Sequence, residues 1–82
     1  MTNYKGFELF EDIEDQALRN RNRAVVLSNI AEDHTRNRLV SPKGASLMLG
    51  YFQAIPQEER KVVRDLFESN MKERGYATLT GT

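Results

Sequence analysis

Eighty-two residues, with 12 basic and 12 acidic side chains and a formal net charge of zero, suffice for one small core. Neutrality excludes a protein that coats nucleic acid, or imitates it, over its whole surface. The lack of cysteine excludes a disulfide framework and a thiolate metal site.

The start, Met-Thr-Asn-Tyr-Lys-Gly-Phe-Glu-Leu-Phe-Glu-Asp, has no basic segment leading into an apolar run, and no stretch approaches the ~20 apolar residues of a membrane span. A cytoplasmic location without membrane contact is therefore expected. From Phe7 to about Asp33, Phe10, Ile13, Ala17, Ala24, Leu27 and Ala31 fall at spacings of three, four and seven, with Asn20 filling the seam. This stripe predicts one helix from about 8 to 33, or two shorter ones broken near Arg19 to Arg23. Asp15 and Arg19, four apart, form a favourable helical pair in this reading, whereas Arg19 and Arg23 repel.

His34 to Arg38 is polar and aperiodic, which predicts a loop, after which Leu39 and Val40 return to the core. Ser41 before Pro42 marks a helix start: the serine hydroxyl accepts from an early amide, and proline at the first position gives up no hydrogen bond. The helix over about 42–55 carries Leu47, Met48, Leu49, Tyr51, Phe52 and Ile55 and is apolar on nearly every side. It is expected to be buried between its neighbours, and Gly50 to mark a close crossing. Pro56 ends it, and Gln57-Glu58-Glu59 places acids at the positive end of the next helix dipole. In that helix, 57–74, Val62, Val63, Leu66, Phe67, Asn70 and Met71 form one face; Gly75 is its stop, and Tyr76 folds back over it.

The expected architecture is all-α: a small three- or four-helix bundle, one domain over residues 1–76 with a flexible tail at 77–82. So small a core leaves little surplus over chain entropy, which favours association into a homodimer.

No constellation carries recognisable catalytic chemistry. His34 is the single histidine, so neither a triad nor a histidine-rich metal centre can be built, and adjacent carboxylates on a helix point about 100° apart. The expectation is a non-enzymatic protein with no cofactor and no metal. Ser41-Pro42-Lys43-Gly44 lacks the full phosphate-loop pattern and reads as a capped helix start. Two surfaces are candidates for a protein partner: the acidic-apolar stretch with Phe7, Phe10, Ile13, Glu11 and Asp12, and an arginine group with Arg19, Arg23, Arg36 and Arg38. The acidic stretch is alternatively an ordinary first helical turn, and the arginines alternatively a solvated face. A nucleic-acid reading would present Arg60, Lys61 and Arg64 to a groove, although Glu58, Glu59 and Asp65 stand among them.

A basic loop, a short apolar helix and the amphipathic Gln-Glu-Glu-Arg-Lys-Val-Val-Arg-Asp-Leu-Phe-Glu segment follow one another over residues 36–68. In layout this resembles small phage proteins that bind host transcription machinery. The resemblance implies a phage or accessory bacterial origin and assigns no residue a role. The expected function is that of a small regulatory protein that binds another protein through a helix face; the alternative is a helical nucleic-acid-binding regulator.

Overall fold

The computed structural model describes residues 3–4, 7–37 and 39–76, of which Asn3, Tyr4 and Phe7 are described by their backbone alone. Among them lie three helices, α1 (Gln16–Asp33), α2 (Pro42–Ala54) and α3 (Gln57–Glu73). Two short antiparallel hairpins accompany the helices, β1 (Asn3–Tyr4) with β2 (Phe7–Glu8), and β3 (Thr35–Arg36) with β4 (Leu39–Val40). The fold is all-α, as the periodicity predicts. The tail expected at 77–82 lies outside the described residues.

α1 begins later than the sequence suggests. Asp15 is not a mid-helix partner of Arg19 but the N-cap: its backbone is extended, and its carboxylate accepts from the amides of Ala17 and Leu18 at 3.0 and 3.3 Å. Residues 9–15 are therefore not helical, and Phe10 has a left-handed backbone with φ of 58°. From Gln16 onward the helix is unbroken through Arg19–Arg23, and it buries Asn20, Arg23, Ala24, Leu27, Ser28 and Ala31.

The predicted loop after α1 is a tight hairpin. Thr35 pairs with Val40 and Arg36 with Leu39, and Asn37 takes the left-handed conformation (φ 56°) that such turns require. Leu39 does not return to the core but stands 73% exposed.

The boundaries of α2 and α3 match the sequence signals. Ser41 Oγ accepts from Gly44 N at 3.1 Å with Pro42 at the first helical position, and Ile55 and Pro56 are extended. Gly75 has φ of 96°, its amide donates to Lys72 O, and the Tyr76 amide donates to Met71 O, which lays Tyr76 against the core.

The layering differs from expectation in one respect. α1 is the helix that packs along both others, while α2 and α3 meet chiefly at their shared corner. α2 buries only Gly44 and Tyr51, with Ile55 just beyond its end; Leu47, Met48 and Phe52 are half-buried and Leu49 is 55% exposed. A chain with two other helices cannot surround a third that is apolar on all sides. The order is up-down-up: Arg23 on Glu59 and Arg74 on Glu32 set α3 parallel to α1, while Gly44 packed against His34 sets α2 antiparallel.

Candidate functional site

Two constructions stand out, one polar and closed, the other apolar and open. The polar one centres on Arg23, whose side chain is 1% exposed. Its Nε donates to Leu9 O at 2.8 Å, and its Nη1 donates to Asn20 Oδ1 at 3.0 Å and to Glu59 Oε1 at 2.7 Å. Arg19 adds a second guanidinium 3.5 Å from the same carboxylate oxygen and donates to Ile13 O at 2.7 Å. Tyr51 Oη donates to Glu8 O at 2.6 Å. Three side chains thus hold three carbonyls of the segment from Glu8 to Ile13, which inserts Leu9 into the core at 3% exposure. Burial pushes the Tyr51 hydroxyl well above its ordinary pKa; nearby Arg23 opposes the shift and Glu8 adds to it. The cluster is internally satisfied, and among the described residues no buried side-chain nitrogen or oxygen lacks a partner. Its chemistry is that of a clamp.

The arrangement redistributes the predicted site residues. Arg23 belongs to no surface patch, because its charge is neutralised inside the fold by a residue 36 positions away. Arg19 is largely covered beside it, Arg36 stands exposed on the hairpin, and Arg38 lies outside the described residues; among the described residues, Arg19, Arg23 and Arg36 do not share one exposed surface. Phe10 and Ile13 are half-buried in the clamped segment with Glu11 and Asp12 exposed around them; the side chain of Phe7 lies outside the described residues. The segment forms no helical turn, and its strongest apolar anchor, Leu9, is occupied by its own core.

The three cations of the nucleic-acid reading also have local partners. Arg60 donates through Nε to Ile55 O at 2.9 Å and through Nη2 to Gln53 O at 2.8 Å, so it caps the C-terminal end of α2. Lys61 and Arg64 both approach Asp65, at 3.2 and 3.9 Å.

The apolar construction is a groove that sequence reasoning did not identify. From the corner at Ile55–Pro56, α2 and α3 diverge over the surface of α1 and leave an open cavity of about 340 Å³ between them. Leu27 of α1 and Phe67 of α3 lie at its base, Ala45, Met48, Leu49 and Phe52 form the α2 wall, Val40 closes the hairpin end, and Arg64 stands on the α3 rim. The exposed positions of α2 are Pro42, Lys43, Ala45, Ser46, Leu49 and Gln53, with a single charge among them. α3 exposes Gln57, Glu58, Lys61, Val62, Arg64, Asp65, Glu68, Ser69, Lys72 and Glu73, of which seven are charged, and Val62, expected on its apolar face, stands 49% exposed. α3 has the charged outer side of a solvated helix, whereas α2 presents an almost chargeless outer side next to an apolar groove. The sequence signal was the lone charge of α2, which the reading of it as a wrapped helix had absorbed.

No family model, characterised protein or solved structure matches this chain. Among the described residues there is no group of acidic or histidine side chains able to hold a metal, and no helix is long and apolar enough to cross a membrane.

Proposed function

We propose that this is a small non-catalytic interaction protein, regulatory in role, that docks a helix of another polypeptide chain into the groove between α2 and α3. The observation that carries this reading is the pairing of an open apolar groove with the outer side of α2, which carries a single charge. Amphipathic helices bind such grooves through side chains spaced i, i+3, i+4 and i+7, and the affinity comes from apolar anchors entering the groove. Leu49 is more than half exposed at the lip, where a docked helix would cover it.

The test is recovery of partners by the tagged full chain after nuclease treatment. Leu49→Glu places a charge in the groove wall, and Leu39→Glu places the same charge on an exposed hairpin residue that does not line the groove. A stoichiometric protein, including a differently tagged copy of the chain itself, that is retained by wild type and Leu39→Glu and lost from Leu49→Glu supports the reading. Equal retention by all three refutes it. Recovery only of nuclease-sensitive material released steeply by salt would favour phosphate binding by the basic side chains instead.

A further inference from the structure

The groove has one wall that is self-complementary. Its α2 residues are Ala45, Met48, Leu49 and Phe52, and these positions are symmetric about the midpoint between Met48 and Leu49. Two α2 helices laid antiparallel across a two-fold axis at that midpoint would set Met48 of each copy opposite Leu49 of the other. The same operation sets the smallest of the four side chains, Ala45, opposite the largest, Phe52, so a methyl group leaves room where a ring has to fit. An isologous contact requires this kind of matching, because each surface must complement itself.

Electrostatics permit the same arrangement. α2 carries one charge, Lys43, near its N-terminus. In the antiparallel pair the two lysines sit at opposite ends, 11 residues apart in register and hence roughly 16 Å along the axis, beyond the screening length of about 10 Å at ordinary ionic strength. The chain as a whole has zero formal net charge, so copies approach without mutual repulsion. The one charged residue that lines the groove, Arg64, has the Asp65 carboxylate 3.9 Å away, so the lining offers little by which to select a partner of one charge.

We infer that the occupant of the groove is α2 of a second copy of this chain, docked antiparallel about a two-fold axis between Met48 and Leu49. The inference rests on the groove reading above and names its occupant. Each Leu49 covers the mouth of the opposite groove, and the four helices α3, α2 and their symmetry mates form a continuous layer. A contact built around two 13-residue helices lies at the small end of specific interfaces, where transient contacts are found, so association is sought from about 1 μM to 1 mM.

Light scattering on the full chain at a series of concentrations tests this. The mass should rise from 9.5 kDa towards about twice that value as the concentration passes through the micromolar range. Leu49→Glu and Leu49→Lys, each checked for intact helicity by circular dichroism, should each weaken the dimer by about tenfold or more, because the two-fold places like charges side by side. An equimolar mixture of the two variants should dimerise again. A wild type that stays at 9.5 kDa at about 1 mM overturns the inference. So does a dimer that both variants leave intact, and so does a mixture that remains monomeric. A monomeric wild type that still loses a captured protein on Leu49→Glu overturns the second copy alone and leaves the groove reading standing.

Discussion

Replacing Glu59 by glutamine removes the counter-charge of Arg23 while keeping the shape of the side chain and one acceptor oxygen. Arg23 is 1% exposed and its Nη1 lies 2.7 Å from Glu59 Oε1, so nearly all of its screening comes from that carboxylate. Breaking a buried pair from one side leaves the other charge stranded, at a cost of about 3 to 5 kcal/mol. Here Leu9 O and Asn20 Oδ1 still accept from the guanidinium, which places the expected loss at the lower end, about 3 kcal/mol. Native stability in a chain of this size is of order 4 to 12 kcal/mol, so the change removes a large share of it. With a urea slope of about 1 kcal/mol per molar, the midpoint followed by far-ultraviolet circular dichroism should fall by roughly 3 M. Arg23→Met leaves the Glu59 carboxylate to Arg19 alone, 3.5 Å away, and also removes the donor to Leu9 O. The double variant Arg23→Met/Glu59→Gln should be more stable than the sum of the two losses by about 2 kcal/mol, the signature of groups that act as a pair. Single losses that add to within about 0.5 kcal/mol, or a Glu59→Gln loss below about 1 kcal/mol, would refute the clamp.

Tyr51 supplies a pH dependence. Its folded pKa is raised above the ordinary value of about 10, so the neutral hydroxyl is favoured in the native state and its contribution is complete below that pH. Above it the unfolded chain ionises first, and stability falls as the pH climbs towards the folded value; Tyr51→Phe should flatten that decline in urea midpoints measured between about pH 10 and 12, and an unchanged slope would show that the hydroxyl is not shielded. Gly44→Ala brings a methyl group into hard contact with Cβ of His34 and within 3.0 Å of Val40 Cγ1, and should cost about 1 to 3 kcal/mol in thermal or urea unfolding. Gly75→Ala meets no neighbour within 4 Å and should cost only the backbone strain of its φ of 96°, about 1 kcal/mol. Asp15→Ala removes the cap of α1 and should cost about 1 kcal/mol, whereas a helix that began near residue 8 would leave this substitution close to neutral.

Features fixed by neighbours in the sequence were the legible ones. Ser41-Pro42, Pro56 and Gly75 each constrain their own backbone, and the helices read from them, 42–55 and 57–74, differ from the observed α2 and α3 by one residue at the C-terminal end. The start of α1 was not legible, because an aspartate that caps a helix and one that pairs with an arginine four residues on are the same letter. The stripe through Phe10, Ile13 and Ala17 has helical spacing, yet its first two members lie on a clamped segment whose path depends on Tyr51, Arg23 and Arg19. The burial of Arg23 is equally non-local: one arginine among several became a core residue through a carboxylate on another helix. Of the candidate site, the apolar residues of α2 were identified but assigned to the interior. The groove depends on how far α2 and α3 diverge, which no local pattern records.

The divergence follows from the way the corner is built. Ile55 and Pro56 are both extended, and Arg60 ties the last carbonyls of α2 to the first turn of α3, so the two helices are held together at that end. Away from it each packs on α1 separately, α2 through Gly44 and Tyr51, α3 through Val63, Phe67 and Met71. The clamp formed by Leu9, Arg23 and Glu59 lies at the corner end, whereas the groove runs from Phe52 near that corner to Val40 and Ala45 near the hairpin. If the groove is the binding surface proposed above, stability and recognition reside in different residues, and Leu49→Glu distinguishes them. Leu49 is 55% exposed, so at concentrations low enough to keep the protein monomeric the substitution should change the unfolding free energy by no more than about 0.5 kcal/mol, the range of surface positions. At high concentration wild type should gain stability from association and the variant should not, so the difference between their midpoints widens with protein concentration. If Leu49→Glu instead lost 2 kcal/mol or more at every concentration, in the range of a truncated core residue, Leu49 would belong to the protein's own core, and the groove would be a packing defect rather than a binding surface.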